Sequence, residues 1–123
     1  MLTFEESREV LTQLADSLPQ PIFNKLNGGI VLLPDTLTDR NGLLILGQYH
    51  VQPNGLGRYI TIYYGSVVQA HGHLDPEAFQ KKLEDVLRHE LTHHLENLAG
   101  DHSLEIKDAQ DIRRMLARRK KAR

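Results

Sequence analysis

Two histidines four residues apart, His89 and His93, bracket Glu90 in the stretch Arg88-His89-Glu90-Leu91-Thr92-His93-His94. On a helix such positions project from one face, one turn above the other, so two imidazoles can grip a single metal ion. Glu90, beside the first of them, can take a proton from a water that the metal activates. This is the H-E-x-x-H spacing, and its chemistry is metal-assisted hydrolysis with the glutamate as general base. The bland alternative is a solvated helix face that happens to carry His and Glu. A helix around the string is the context that separates the two.

The chain holds no cysteine. Any zinc is therefore held by His, Asp or Glu, the donors of catalytic rather than purely structural sites. At 123 residues it reads as one domain, 1–123, long enough for a real core but not for two. A composition of 40% hydrophobic and 25% charged residues, with a formal net charge of -1, is that of an ordinary globular protein. It argues against a chain built to coat nucleic acid or an anionic membrane. The first residues, Met1-Leu2-Thr3-Phe4-Glu5-Glu6, lack the basic stretch and apolar core of a signal peptide. No uncharged apolar run approaches membrane-spanning length, and a cytoplasmic location is expected.

The elements that position the motif follow in order. Thr3 predicts the cap of a first helix, with Glu5 and Glu6 in its first turn and Val10, Leu11, Leu14 and Leu18 at helical spacing. Pro19-Gln20-Pro21 ends it. Three short strands are expected between turns: Ile30 to Leu33, Leu43 to Val51, and Arg58 to Tyr64. The first, apolar on both faces, reads as a strand inside a sheet. Residues 65–72 suggest no element, and His71, His73 and His50 read as exposed or structural. Asp75-Pro76-Glu77 is a helix start. The repeat Phe79, Leu83, Val86, Leu87, Glu90, His93 then predicts a long helix to Gly100, with the motif inside it. Helices at both ends of a small three-stranded sheet make an α+β domain.

A catalytic zinc needs a third protein ligand. If the motif helix runs to Gly100, Asp101 lies roughly 10 Å beyond the metal at 1.5 Å per residue. The ligand is then expected from a returning segment. Ser103 can cap a last helix from about Leu104 to Arg118, whose apolar face holds Leu104, Ala109, Ile112, Met115 and Leu116. Glu105 and Asp108 fall within that face, where acids are costly without a cation. Packed antiparallel, residue 108 returns to the level of His93. Asp108 is the first choice for third ligand, with Glu105, His102 and Asp101 as alternatives. His94, about 100° from His93, is expected to pack rather than ligate. Residues 118–123 are basic and expected as a disordered tail.

With His89-Glu90-Leu91-Thr92-His93-His94 behind three strands, the chain resembles the minimal zincin-type metallopeptidases of bacteria, short H-E-x-x-H-H proteins with an α-β-β-β-α-α order. The resemblance covers most of the chain. It implies a zincin-like fold, zinc on His89 and His93, and Glu90 as catalytic base acting on a peptide or protein substrate. Many members carry a Gly three residues after the second motif His and an acid three further on; here Glu96 and Ala99 stand there. In such sites an extended peptide lies along an edge strand, expected here around Ile60 to Tyr64. Two other functions remain open. One is a zinc-dependent endoribonuclease or RNA-processing factor using His89, His93 and His102 with the basic C-terminus. The other is a zinc-stabilised binding protein without turnover.

Overall fold

The structure, a computed structural model, describes residues 1–55, 57–101 and 106–121, with the side chains of 102–107 and 118–123 outside the description. Helix α1 spans Phe4–Ser17. Its cap is reciprocal: Thr3 Oγ1 accepts from the Glu6 amide, and the Glu6 carboxylate accepts from the Thr3 amide. A 3-10 turn over Gln20–Phe23 follows. Then come strands β1 (Gly29–Leu33), β2 (Leu37–Thr38), β3 (Leu44–Ile45), β4 (Gly47–Gln52) and β5 (Gly57–Tyr63), and helices α2 (Tyr64–His71), α3 (Pro76–Gly100) and α4 (Ile106–Lys121). The fold is α+β, with four α-helices among the described residues.

The main sheet has the order β1-β5-β4, with β1 parallel and β4 antiparallel to β5. This corrects two expectations. The apolar run Ile30 to Leu33 is an edge strand rather than an interior one, and Val31 stands partly in solvent. The strand through Ile60 is the central one. Its Ile60 and Ile62 are fully buried, because it alone has neighbours on both sides. The free edge beside the motif helix therefore belongs to β4.

The expected second strand is one extended run that changes partner. Leu44 and Ile45 pair with β2 in a two-stranded ribbon, and from Gly47 onward the chain pairs with β5. Of residues 65–72, unassigned from sequence, 65–71 form most of α2 and Gly72 caps its end. Its Ser66 Oγ accepts from the Leu37 amide and donates to the Leu37 carbonyl, which ties the ribbon to the helix. Gly65 permits this contact, since a Cβ there would collide with Thr36 Oγ1.

Helix α3 is the spine. Asp75 caps it by accepting from the Ala78 amide. Phe79, Leu83, Leu87, Leu91, Leu95 and Leu98 are fully buried along it. Phe79, Leu83, Leu87, Leu91 and Leu95 pack with Leu11 and Leu14 of α1, Ile60 and Ile62 of β5, and Ile112 and Leu116 of α4. The last helix runs through Arg118 to Lys121, into the stretch expected as a tail. No helix among the described residues is long and apolar enough to cross a membrane.

Candidate metal centre

His89 and His93 lie two-thirds of the way along α3, on the face that looks past the free edge of β4. Their Nε2 atoms stand 3.2 Å apart with the rings nearly perpendicular. Two nitrogens on one tetrahedral zinc, each at 2.0–2.1 Å, are separated by roughly 3.3–3.4 Å. The pair thus presents the bite that one metal ion needs, and both side chains are open to solvent. Glu90, one residue on, is 6% exposed. Burial pushes its carboxyl above the usual carboxylate range, an effect the neighbouring His89 and His93 partly offset.

These groups line an open cleft of about 680 Å³ together with Gly47, Gln48, Glu96 and Asn97. Gly47 is the position that lets helix and strand close on each other. A Cβ there would lie 2.9 Å from Val86 Cγ1 and 3.3 Å from Glu90 Cγ. An isolated glycine in an apolar strand signals such an approach. The β4–β5 register leaves a row of backbone groups on the cleft side. Leu46 opposes Tyr63 and accepts from its amide, so residues 48, 50 and 52 bond to β5 while 47, 49 and 51 turn their N–H and C=O outward.

His94 is fully buried and does not ligate. Its Nε2 lies 2.9 Å from the Asn24 carbonyl, which can only accept, so Nε2 carries the proton. Nδ1 then accepts from Tyr49 Oη at 2.7 Å. One ring therefore ties the motif helix to β4 on one side and to the loop after the 3-10 turn on the other. Burial holds its pKa below the ordinary imidazole value. Next to it Arg58 of β5 donates from Nε to Asn97 Oδ1 and from Nη2 to Asp101 Oδ2, both at 2.5 Å.

The expected third ligands fare differently. Asp101 is engaged by Arg58 at the end of α3, away from the pair. Asp108 is exposed in the first turn of α4, and this corrects its assignment. The helices do pack together, but Arg113 Nη2 reaches Glu96 at 3.0 Å, and Leu116 and Ala117 lie opposite Arg88 and Thr92. The level of the histidines is met by residues 113–117, and Asp108 sits more than a turn short of it. The buried stripe of α4 is Ala109, Ile112 and Leu116; Asp108 and Met115, seven residues apart, share its exposed flank. Among the described residues no three His, Cys, Asp or Glu side chains are grouped to hold a metal. Glu105 and His102 lie outside the described residues, and with His102 the three-histidine arrangement.

Glu96 is what the sequence reasoning missed. Its Oε1 lies 3.6 Å from His93 Nδ1, and its Oε2 accepts from Arg113. A carboxylate there favours the proton on Nδ1 and leaves Nε2 as the free donor atom. Its i, i+3 spacing from His93 was the available signal. His50 stacks on Tyr59 at 4.2 Å. His71 ends α2.

No protein-family model and no curated protein matches the chain. A solved structure does: a conserved hypothetical protein from T. thermophilus, 30% identical, with a TM-score of 0.67, matched over 80% of this chain and 99% of its own. The chain belongs to that protein's family. Nearly the whole of the T. thermophilus protein is matched.

Proposed function

We propose that this chain is a zincin-like peptidase that hydrolyses peptide bonds with zinc held by His89 and His93. The observation that carries the reading is the 3.2 Å convergence of the two Nε2 atoms directly beside the buried carboxyl of Glu90. The donor set, imidazoles without thiolates, suits a metal that keeps an open position. When bound, zinc supplies Lewis acidity, which polarises a carbonyl and acidifies water.

The chain's own groups supply the rest. The outward N–H and C=O groups of Gly47, Tyr49 and Val51 can pair with an extended polypeptide and hold it as a fourth strand beside the helix. On this reading the peptide runs along β4. The Glu90 carboxylate accepts the proton of the attacking water and delivers it to the leaving amine nitrogen. Glu96 and Arg113 keep His93 aimed, and the Tyr49–His94 bond fixes the spacing between strand and helix.

Zinc-loaded protein digesting a mixed peptide pool, read by mass spectrometry, tests this. Cleavage that stops with chelator and in Glu90→Gln supports it. Equal cleavage by Glu90→Gln, with zinc still bound, contradicts it.

A further inference from the structure

We propose that two copies of this chain pair through β1 across a two-fold axis, joining their main sheets edge to edge with the two α1 helices side by side. This concerns the edge of the sheet remote from the histidine pair, and it stands independently of the peptidase reading.

Strand β1 has the composition of an interior strand at an edge position. Its residues are Gly29-Ile30-Val31-Leu32-Leu33, and among the described residues β5 is its only partner. An edge strand offers a row of backbone N–H and C=O groups to any strand that arrives, and proteins blunt such edges with lysine, proline or a bulge. The five residues of β1 include no charge and no proline, and their register with β5 runs without a bulge from Gly29 to Leu33. Val31 remains 36% exposed. The opposite edge, β4, is built differently, with Gln48, His50 and Gln52 along it. A second copy of β1 turns the apolar strand into the interior strand that its residues describe.

The flanking helix says which occupant fits. Two open cavities of about 330 and 300 Å³ run along the groove between α1 and β1. Arg8 and Leu32 line the first, Gln20 and Gly29 the second, and Asp16 and Ile30 line both. Helix α1 therefore runs antiparallel to β1. Arg8, Thr12 and Asp16, spaced four apart, form one stripe along the helix, and all three are exposed.

A stripe that reads cation, hydroxyl, anion is its own complement when reversed. Antiparallel pairing of β1 with its copy, Val31 opposite Val31, has a two-fold axis perpendicular to the sheet. Both α1 helices then lie on the same face and run in opposite directions. Arg8 of each copy faces Asp16 of the other, and Thr12 meets Thr12 at the axis. This is the self-complementary pattern of an isologous interface. Within its own chain Arg8 lies over the Phe4 ring and touches Glu5 at 3.4 Å, with both charged side chains largely in solvent. Such an exposed pair is weak, so the guanidinium can turn to the carboxylate of the second copy. The β4 edge of each copy stays open.

The experiment is sedimentation equilibrium of the full chain from micromolar to submillimolar concentration. Expected is a monomer–dimer equilibrium with no larger species. Asp16→Arg sets like charges together at both ends of the paired helices and raises the dissociation constant about tenfold or more. Exchanging the charges, Arg8→Asp with Asp16→Arg, restores the dimer. Val31→Lys, which puts a charge on the edge strand, weakens it as well. All three positions are exposed in the single chain, so far-ultraviolet circular dichroism is expected to match the wild type, and Asp16→Arg decides the question if Val31→Lys alone disturbs the fold. A wild type that is monomeric throughout, or that forms a larger assembly, overturns the proposal. So does a dimer that Asp16→Arg leaves as tight, or a charge-exchanged variant as weak as Asp16→Arg.

Discussion

Gly47 of β4 lies directly under Glu90 of α3, with no room for a side chain between them: a Cβ would come to 3.3 Å from Glu90 Cγ and 2.9 Å from Val86 Cγ1. A glycine inside a strand ordinarily costs stability relative to alanine. Here the sign inverts. Gly47→Ala is expected to destabilise by about 1–3 kcal/mol through overpacking. Chemical denaturation measures it, and a variant as stable as the wild type contradicts so close an approach.

Tyr49→Phe removes the donor to His94 Nδ1 and leaves a buried acceptor unmet. The expected loss is about 1–3 kcal/mol. Denaturation midpoints of the two proteins at pH 7 give the value, and unchanged midpoints count against the bond.

The buried, neutral state of His94 also makes stability depend on pH. Its folded pKa is lowered, whereas in the unfolded chain it titrates near 6.5. Below that value the unfolded state binds the extra proton. The contribution of His94 is therefore complete above about pH 6.5 and is lost as pH falls toward its folded pKa. Melting curves from pH 7.5 to 5 are expected to fall more steeply for the wild type than for His94→Phe. Parallel curves contradict this.

Burial acts on Glu90 with the opposite sign. Its raised pKa means that ionisation is resisted in the fold but not in the unfolded chain, which titrates near 4.3. Above that pH the wild type bears a cost that glutamine does not. In chelator, Glu90→Gln is expected to melt higher than the wild type at pH 7, with the gap narrowing as pH falls through the raised folded pKa and gone below about 4.3. A lower melting point for the variant at pH 7 contradicts the assignment of Glu90 as a buried carboxyl.

Much of the scaffold was legible in the residues. The Thr3 and Asp75 caps, the apolar repeat of α3 and the turns between strands each follow from local chemistry, and all three strands appear near their expected positions. What was not legible depended on partners distant in the chain. Nothing local to Ile30–Leu33 says that it borders a sheet, and α2 is too short and too mixed in pattern to announce itself. Asp108 was misplaced because a rotational argument about α4 needs its axial register as well. That register brings Arg113 to Glu96 and sets Ile112 and Leu116 in the core. The histidine pair was readable because both members sit on one helix. Glu96, three residues on, shared that helix and was overlooked, and the Tyr49–His94 bond spans 45 residues.

Zinc binding by isothermal titration, on the wild type and on His89→Ala and His93→Ala, tests the central claim most directly. The expected result is saturable binding of zinc by the wild type. Either substitution is expected to weaken it by more than the roughly 10–100-fold that an outer hydrogen-bonding partner costs, with the far-ultraviolet circular dichroism unchanged. Wild-type protein that binds no zinc, or variants that bind it as tightly, would contradict the claim.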